Sequence, residues 1–129
     1  MRTIVRFRTS EGDYAVPVEE VSEVQSAAGL TPLPAPRPGV AGLMRRGDDA
    51  LPVLTVLGAL GRHVVVIDKG ARSFGLLVEE VTGVQQIDEA RIGDPPPGQV
   101  RDLVAGVLNE DGGLVLLLDV DALAGRLDR

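Results

Sequence analysis

The chain repeats a pattern of valines and acidic residues, and this repeat sets the strongest limit on its fold. Residues 4–25 align without gaps to residues 64–85, an offset of 60. Within them, VEEVSEVQ at 18–25 corresponds to VEEVTGVQ at 78–85. A second match, offset by 64, places 41–44 on 105–108. Because the two matches keep the same order and nearly the same offset, a repeat explains them better than chance similarity between valine-rich strands.

The repeat divides the 129 residues into two copies, about 1–61 and 62–129. A unit of about 60 residues buries too little surface to be stable alone. We therefore expect one domain over 1–129, in which two subdomains pack tightly on a shared hydrophobic interface.

Each copy has the alternating apolar pattern and turn residues of β-structure. The predicted strands of the two copies are 3–8, 14–18, a strand following Val21 and Val24, 40–45 and 51–54, then 63–68, 73–78, 84–87, 103–108 and 114–118. Ten short strands in two sets of five indicate an all-β fold of two small barrels.

Proline and glycine mark the connections between these strands. The prolines within 31–39 predict an extended irregular loop, and prolines 95–97 and the turn at 111–113 punctuate the second copy. A short helical stretch is expected at 56–60. A short C-terminal helix is expected over 119–127, with Asp119 or Asp121 as its cap.

The composition excludes several classes of function. The chain has no cysteine and a single histidine, His63, so thiolate chemistry and multi-histidine metal sites are not expected. The net charge of −6 disfavours nucleic acid and anionic membranes, which attract clustered positive charge. No apolar run is long enough to span a bilayer, and the start lacks a secretory pattern. We expect a cytoplasmic protein that is not an enzyme, with no cofactor, no metal and no direct membrane insertion.

Five motifs in order give the chain a resemblance to the CheW-like domain family. They are DYAVPVEEV at 13–21, GLMRRG at 42–47 followed by LPVL at 51–54, FGLLVEEV at 74–81, VAGV at 104–107 and the closing segment 114–121. The resemblance implies two SH3-like five-stranded barrels packed on one hydrophobic interface. It also implies a non-catalytic adaptor that couples chemoreceptors to a CheA-type histidine kinase, with the kinase regulatory domain and the receptor cytoplasmic tip as partners.

The main candidate for partner binding is Arg45-Arg46-Gly47, at the tip of a predicted hairpin. Arginine offers a planar set of donors and is enriched in interface hot spots. The resemblance places the matching arginine, Arg46, at the partner-facing surface. The alternative is two solvated arginines beside a turn.

Three further candidates come from the strands and from the proline-rich segment. Gly42 within a strand indicates a bulge or a close backbone approach, and the resemblance places it near the partner surface. Val24 and Leu30 are expected to line the receptor-binding cleft between the barrels, again by resemblance. The alternative for the segment around Leu30 is a connection that only covers its barrel.

Two alternatives to these assignments are considered. The GLMRRG stretch is one residue shorter than the usual family pattern and lacks its asparagine, so a divergent twin-barrel interaction module in another pathway, such as pilus motility or another assembly, stays open. The paired acids at 19–20 and 79–80 do not form a catalytic dyad, because adjacent side chains point apart.

Overall fold

The computed structural model describes residues 1–95, 97, 101–110 and 112–128, so predictions at Pro96 and Asp111 lie outside the described residues. The strands are β1 Arg2–Thr9, β2 Gly12–Pro17, β3 Val21–Ser26, β4 Thr31–Arg37, β5 Val40–Arg46, β6 Asp49–Leu54, β7 His63–Lys69, β8 Arg72–Val78, β9 Glu80–Ile87, β10 Ile92–Gly93, β11 Val104–Glu110 and β12 Gly113–Leu118. One α-helix, α1, spans Val120–Gly125, and 3₁₀ turns span Val18–Glu20, Ala27–Gly29, Glu89–Arg91, Arg101–Leu103 and Arg126–Asp128.

The described strands form two six-stranded sheets. We call the one with order β10-β11-β12-β2-β1-β9 sheet A, and the one with order β3-β7-β8-β6-β5-β4 sheet B. The predicted all-β fold with a short C-terminal helix is confirmed. Asp119 caps that helix, since its side chain accepts a hydrogen bond from the Ala122 amide at 3.1 Å.

The two copies of the repeat are interlaced rather than side by side. The β1–β2 hairpin of the first copy lies in sheet A with β9 to β12, and the β7–β8 hairpin of the second copy lies in sheet B. The predicted division at residues 61 and 62 is therefore not the division between the sheets. The chain crosses between sheets at 18–20 and at 79, so sheet B is the continuous segment 21–78.

Each sheet has six strands instead of the predicted five. The additional strand lies at an edge in both sheets: β4 in sheet B, which was predicted as a loop, and β10 in sheet A, which was not predicted. The proline-rich segment forms β4, which pairs only with β5. Proline lacks the amide that a central strand needs, but an edge strand leaves that side unpaired. In sheet A the added edge strand is the two-residue β10.

A shared core joins the two sheets. Sheet A contributes the side chains of Val5, Phe7, Tyr14 and Val16, and sheet B contributes those of Val65, Ile67, Phe74, Leu76 and Val78. Each barrel also has its own smaller core, around Ile4 and Leu108 in sheet A and around Met44 and Val64 in sheet B. The expected shared hydrophobic interface is thus the largest apolar cluster described.

The expected helical stretch at 56–60 is wrong. The Gly58 amide donates to the Thr55 carbonyl at 3.0 Å and closes a turn. Gly58 has φ 139°, which ends any helical path.

Candidate partner-binding site

The β5–β6 hairpin presents the predicted arginines, and its tight turn requires glycine. Gly47 has φ 60°, in the left-handed region that glycine adopts without steric cost. A Cβ built on Gly47 would meet nothing within 4 Å, so the requirement is conformational. Gly47 therefore shapes the tip and offers no side chain to a partner.

Arg46 does not project freely from this tip but ties four strands together. Its guanidinium donates to both carboxylate oxygens of Asp68, at 2.9 and 3.1 Å. It also donates to the hydroxyls of Ser73 at 3.1 Å and Ser22 at 3.3 Å. Ser73 in turn donates to Asp68. The Arg46 side chain is 29% exposed, so part of it faces solvent while its donors are held inside the barrel wall.

These hydrogen bonds stabilise the charged form of Asp68. The bond from Ser73 and then the one from Arg46 lower the pKa of Asp68 below its usual value. Because the pKa is lower in the folded than in the unfolded state, ionised Asp68 stabilises the fold above its unfolded pKa, near 3.8. That contribution is lost as the pH falls through the folded pKa.

We therefore expect Asp68→Asn to lower the melting temperature at pH 7 and to have a smaller effect at pH 3. The measurement is thermal unfolding at both pH values, with Asp48→Asn as a control because Asp48 is exposed at the hairpin turn. An equal loss for Asp68→Asn at both pH values would contradict the charge-based account.

Arg45, unlike Arg46, has an exposed side chain on the β5–β6 hairpin. It lies opposite Ala50 in the β5–β6 ladder and is exposed. Among the described residues its side chain has no ion pair or hydrogen-bond partner. Sequence reasoning expected both arginines at an open tip, and the structure separates an exposed residue, Arg45, from a held residue, Arg46.

Gly42 lies where two backbones meet. A Cβ added there would sit 2.2 Å from the Thr31 carbonyl oxygen, in the neighbouring strand β4. The β5–β6 register also shifts between Val40 and Gly42, so the bulge expected for a strand glycine is present. Gly42 is buried, and what the structure assigns to it is close strand packing.

Val24 lies at the edge of the shared core, on a surface that we call the first rim: Val21 and Val24 of β3. Val21 is opposite Ile67 and Val24 opposite Val65, and both of these β7 residues belong to the shared core. Directly opposite residues share a face of the sheet, so the two valines extend that core to its margin. Val24 is 43% exposed, so part of this apolar surface faces solvent.

Leu30 lies apart from the first rim. It is half-buried and packs against the barrel core of sheet B, which contains Met44 and Leu51. The structure thus places Val24 at the exposed edge of sheet B, opposite Val65, and Leu30 against the core of one barrel.

Val84 is a surface residue that sequence reasoning missed. It is 65% exposed and is the repeat equivalent of Val24, at an offset of 60. The repeat could have identified it, because Val84 occupies the position in the second copy that Val24 occupies in the first.

The described residues include no group of side chains that could hold a metal ion. No three histidine or acidic side chains among them converge on a possible metal position. The ring of His63 contacts the Glu79 carbonyl oxygen through Nδ1 at 3.2 Å. No helix in the described part of the chain is both long and apolar enough to cross a membrane.

Two interlaced six-stranded β-sheets that share one hydrophobic core define a twin-barrel domain. The sequence matches the CheW-like domain family over residues 3–128. The chain belongs to the CheW-like domain family.

Relatives and a solved structure agree with this assignment. Protein FrzA of Myxococcus xanthus is 33% identical over 117 residues, which is 82% of this chain and 73% of that protein. Chemotaxis protein CheW of Thermotoga maritima is 24% identical over 133 residues, 93% of this chain and 85% of that protein. The scaffolding protein TtCheW of Thermoanaerobacter tengcongensis superposes with a TM-score of 0.81 at 23% identity, over 92% of this chain and 84% of that chain. This likeness confirms the expected fold of two SH3-like subdomains.

Proposed function

We propose that this chain is a cytoplasmic, non-catalytic adaptor that couples chemoreceptors to a CheA-type histidine kinase. The observation that carries the proposal is membership of the CheW-like family over nearly the whole chain, 3–128. The same chain also superposes on a solved scaffolding protein with a TM-score of 0.81. A scaffold acts by holding partners together, so its function depends on surfaces and not on a reacting group.

The first rim is the proposed seat of a receptor helix. Val24 and Val21 offer apolar contact at the cleft between the sheets, and an amphipathic helix can lay its apolar face into such a groove. Beside this rim the chain passes from sheet A to sheet B at residues 18–20. An ion pair holds this segment, since Lys69 donates to Glu20 at 2.6 Å. A rim held by its pairing with β7 and by this ion pair loses little conformational freedom when a partner docks.

The β5–β6 hairpin is the proposed contact for the kinase regulatory domain. Arg45 is exposed there and offers charge-assisted hydrogen bonds to a carboxylate. Arg46, held by Asp68, Ser73 and Ser22, fixes the end of β5 from which Arg45 projects. Gly42 and Leu30 support this proposal indirectly, through the packing of the strands behind the tip.

Comparing substitutions at the two adjacent arginines tests this assignment. In a capture experiment from lysate of the source cell, wild-type protein is expected to retain a histidine kinase and a chemoreceptor, identified by mass spectrometry. Arg45→Glu is expected to lose the kinase with an unchanged melting temperature. Arg46→Ala is expected to weaken capture and to cost about 1 kcal/mol of stability, the scale of a well-formed surface ion pair.

The outcomes separate the site from the function. A kinase retained equally by wild type and both variants would keep the adaptor and move its contact surface elsewhere. A folded bait that captures neither kinase nor receptor would contradict the proposal and favour a twin-barrel module of another pathway. The shortened GLMRRG stretch is the feature that supports this second candidate.

A further inference from the structure

β4 is a long edge strand with no charged side chain before its last residue. It spans Thr31–Arg37, with the sequence TPLPAPR, and pairs on one side only, with β5. Its residues 31, 32, 34 and 35 are exposed. An exposed edge strand presents unpaired backbone groups, to which a strand of another molecule can add. An uncharged edge of this length is therefore a site of association unless its backbone prevents it.

The other three edges of the described sheets are protected in ways that β4 lacks. β10, the counterpart of β4 in sheet A, has only two residues. β3 and β9 contain the acidic residues Glu23 and Glu80, and each shifts register against its partner strand. Short strands, charges and bulges are common means of protecting an edge. β4 shares the register shift, between Pro32 and Arg37, but it is neither short nor charged before Arg37.

What distinguishes β4 is a proline at every second position, at 32, 34 and 36. In an extended strand, the amide and carbonyl of one residue point to one side and those of the next residue to the other. The Thr31 carbonyl points at β5, since its oxygen would lie 2.2 Å from a Cβ on Gly42. The nitrogen of Pro32 therefore faces away from β5, and the same alternation places that of Pro34 on the same side. Because proline has no amide hydrogen, the outer side of β4 offers acceptors but no donors at these two residues.

Strand addition needs donors as well as acceptors on the edge that is extended. In an antiparallel ladder, two residues that form a hydrogen-bonded pair each donate to the other and accept from it. At Pro32 and Pro34 the donated half of this exchange is missing, so an added strand would leave a carbonyl of its own unpaired at each position. A carbonyl that loses water without gaining a donor is destabilising. The prolines therefore weaken pairing at the outer edge, while the odd-numbered residues stay available to β5.

We propose that the alternating prolines of β4 close the outer edge of sheet B to strand addition, and that the partner they exclude is a second copy of this chain. Two β4 strands can approach antiparallel about a twofold axis, which places the same uncharged segment on both sides of the contact. No charge within 31–36 opposes this approach, so the missing amides are what prevents it. Residues that supply those amides and suit a strand would open the edge. This proposal goes beyond the adaptor function and does not depend on its partners.

The test compares the full-length double variant Pro32→Thr/Pro34→Thr with wild type by analytical ultracentrifugation, up to millimolar concentration. Threonine suits a strand and restores both amides, so we expect the double variant to dimerise at least ten-fold more tightly than wild type. Hydrogen exchange followed by NMR should show the new amides at 32 and 34 becoming protected as the concentration rises. Pro97→Thr is the matched control, because Pro97 is exposed and lies outside the described strands, and it should associate as wild type does.

A second double variant, Pro32→Lys/Pro34→Lys, separates strand addition from a loosened fold. It restores the same amides but places like charges on the edge, so it should stay monomeric. The proposal is overturned if the folded threonine variant associates no more tightly than wild type, if its dimer protects β3 or β9 instead of β4, or if the lysine variant associates equally. If the threonine variant does not unfold cooperatively, the two single threonine variants take its place, and wild-type association of both overturns the proposal. None of these outcomes bears on kinase or receptor capture, so each proposal can fail alone.

Discussion

Gly42→Ala is expected to destabilise the protein by about 3 kcal/mol, the upper end for inserting atoms into a packed interior. Its Cβ would lie 2.2 Å from the Thr31 carbonyl oxygen and 2.9 Å from the carbonyl carbon. Both atoms are backbone, so relief requires β4 to move away from β5 and not a side chain to rotate. The melting temperature should fall by roughly 10 °C for a domain of this size. Thermal and urea unfolding measure the loss.

Alanine substitutions at two other glycines serve as comparisons for the stability loss of Gly42→Ala. Gly106 is the repeat counterpart of Gly42, but the atom nearest its Cβ would be a side-chain methyl, the Ile92 Cγ2 at 2.5 Å, and the nearest backbone atom would be the Gly93 carbonyl oxygen at 3.2 Å. We expect Gly106→Ala to cost about 1 kcal/mol. Gly29→Ala meets nothing within 4 Å and should change stability by less than about 0.5 kcal/mol.

The order of these three losses separates two roles for Gly42. If Gly42→Ala proves as stable as Gly29→Ala, the strands yield easily and close packing does not explain the glycine. If it is destabilised as expected, weaker partner binding by this variant cannot be assigned to a lost contact at Gly42. The Arg45→Glu variant, which leaves the strands intact, is then the cleaner probe of the hairpin surface.

Sequence reasoning succeeded where the signal is local or repeated. Alternation of apolar residues located β1, β2, β7 and β8 to within one or two residues, because a half-buried strand requires that period. The repeat also identified Gly42 and Gly106 as equivalents, and both lie at a register shift in their sheets.

Other features depend on contacts that no local pattern encodes. The prolines of β4 forbid a central strand but allow an edge, and only the assembled sheet shows which applies. The partners of Arg46 lie on β3, β7 and β8, up to 27 residues away, so its half-buried state could not be deduced from its turn. Leu30 has the composition of a groove residue yet faces a barrel core, because the short turn before it redirects the chain.

The interlaced hairpins are the largest departure from the sequence-based picture. A repeat specifies two equivalent hairpins and two equivalent sets of remaining strands, but each hairpin can pair with its own set or with the other. Local propensity is the same in both arrangements. In this chain β1 pairs with β9 and β3 pairs with β7, so each hairpin lies beside a strand from the other copy.

Separating the chain between residues 61 and 62 is therefore expected to abolish folding of both halves. In the fragment 1–61 the β1–β2 hairpin loses β9 and β12, its neighbours on either side in sheet A. An isolated hairpin is marginally stable at best in water, and Phe7 and Tyr14, now buried in the shared core, would face solvent. In the fragment 62–129 the β7–β8 hairpin loses β3 and β6 in the same way.

Circular dichroism of each fragment should show no cooperative thermal transition, whereas an equimolar mixture should recover one, because together the fragments supply every strand pair. The fragment 18–79 is the matched comparison, since it contains all of sheet B and should retain β-structure while associating through its uncovered apolar face. If 1–61 instead unfolds cooperatively on its own, the hairpin must be able to pair within its own copy. The interlaced arrangement would then be one of two accessible folds. Recovery only on mixing would show that exchange of the hairpins holds the two subdomains together as one domain.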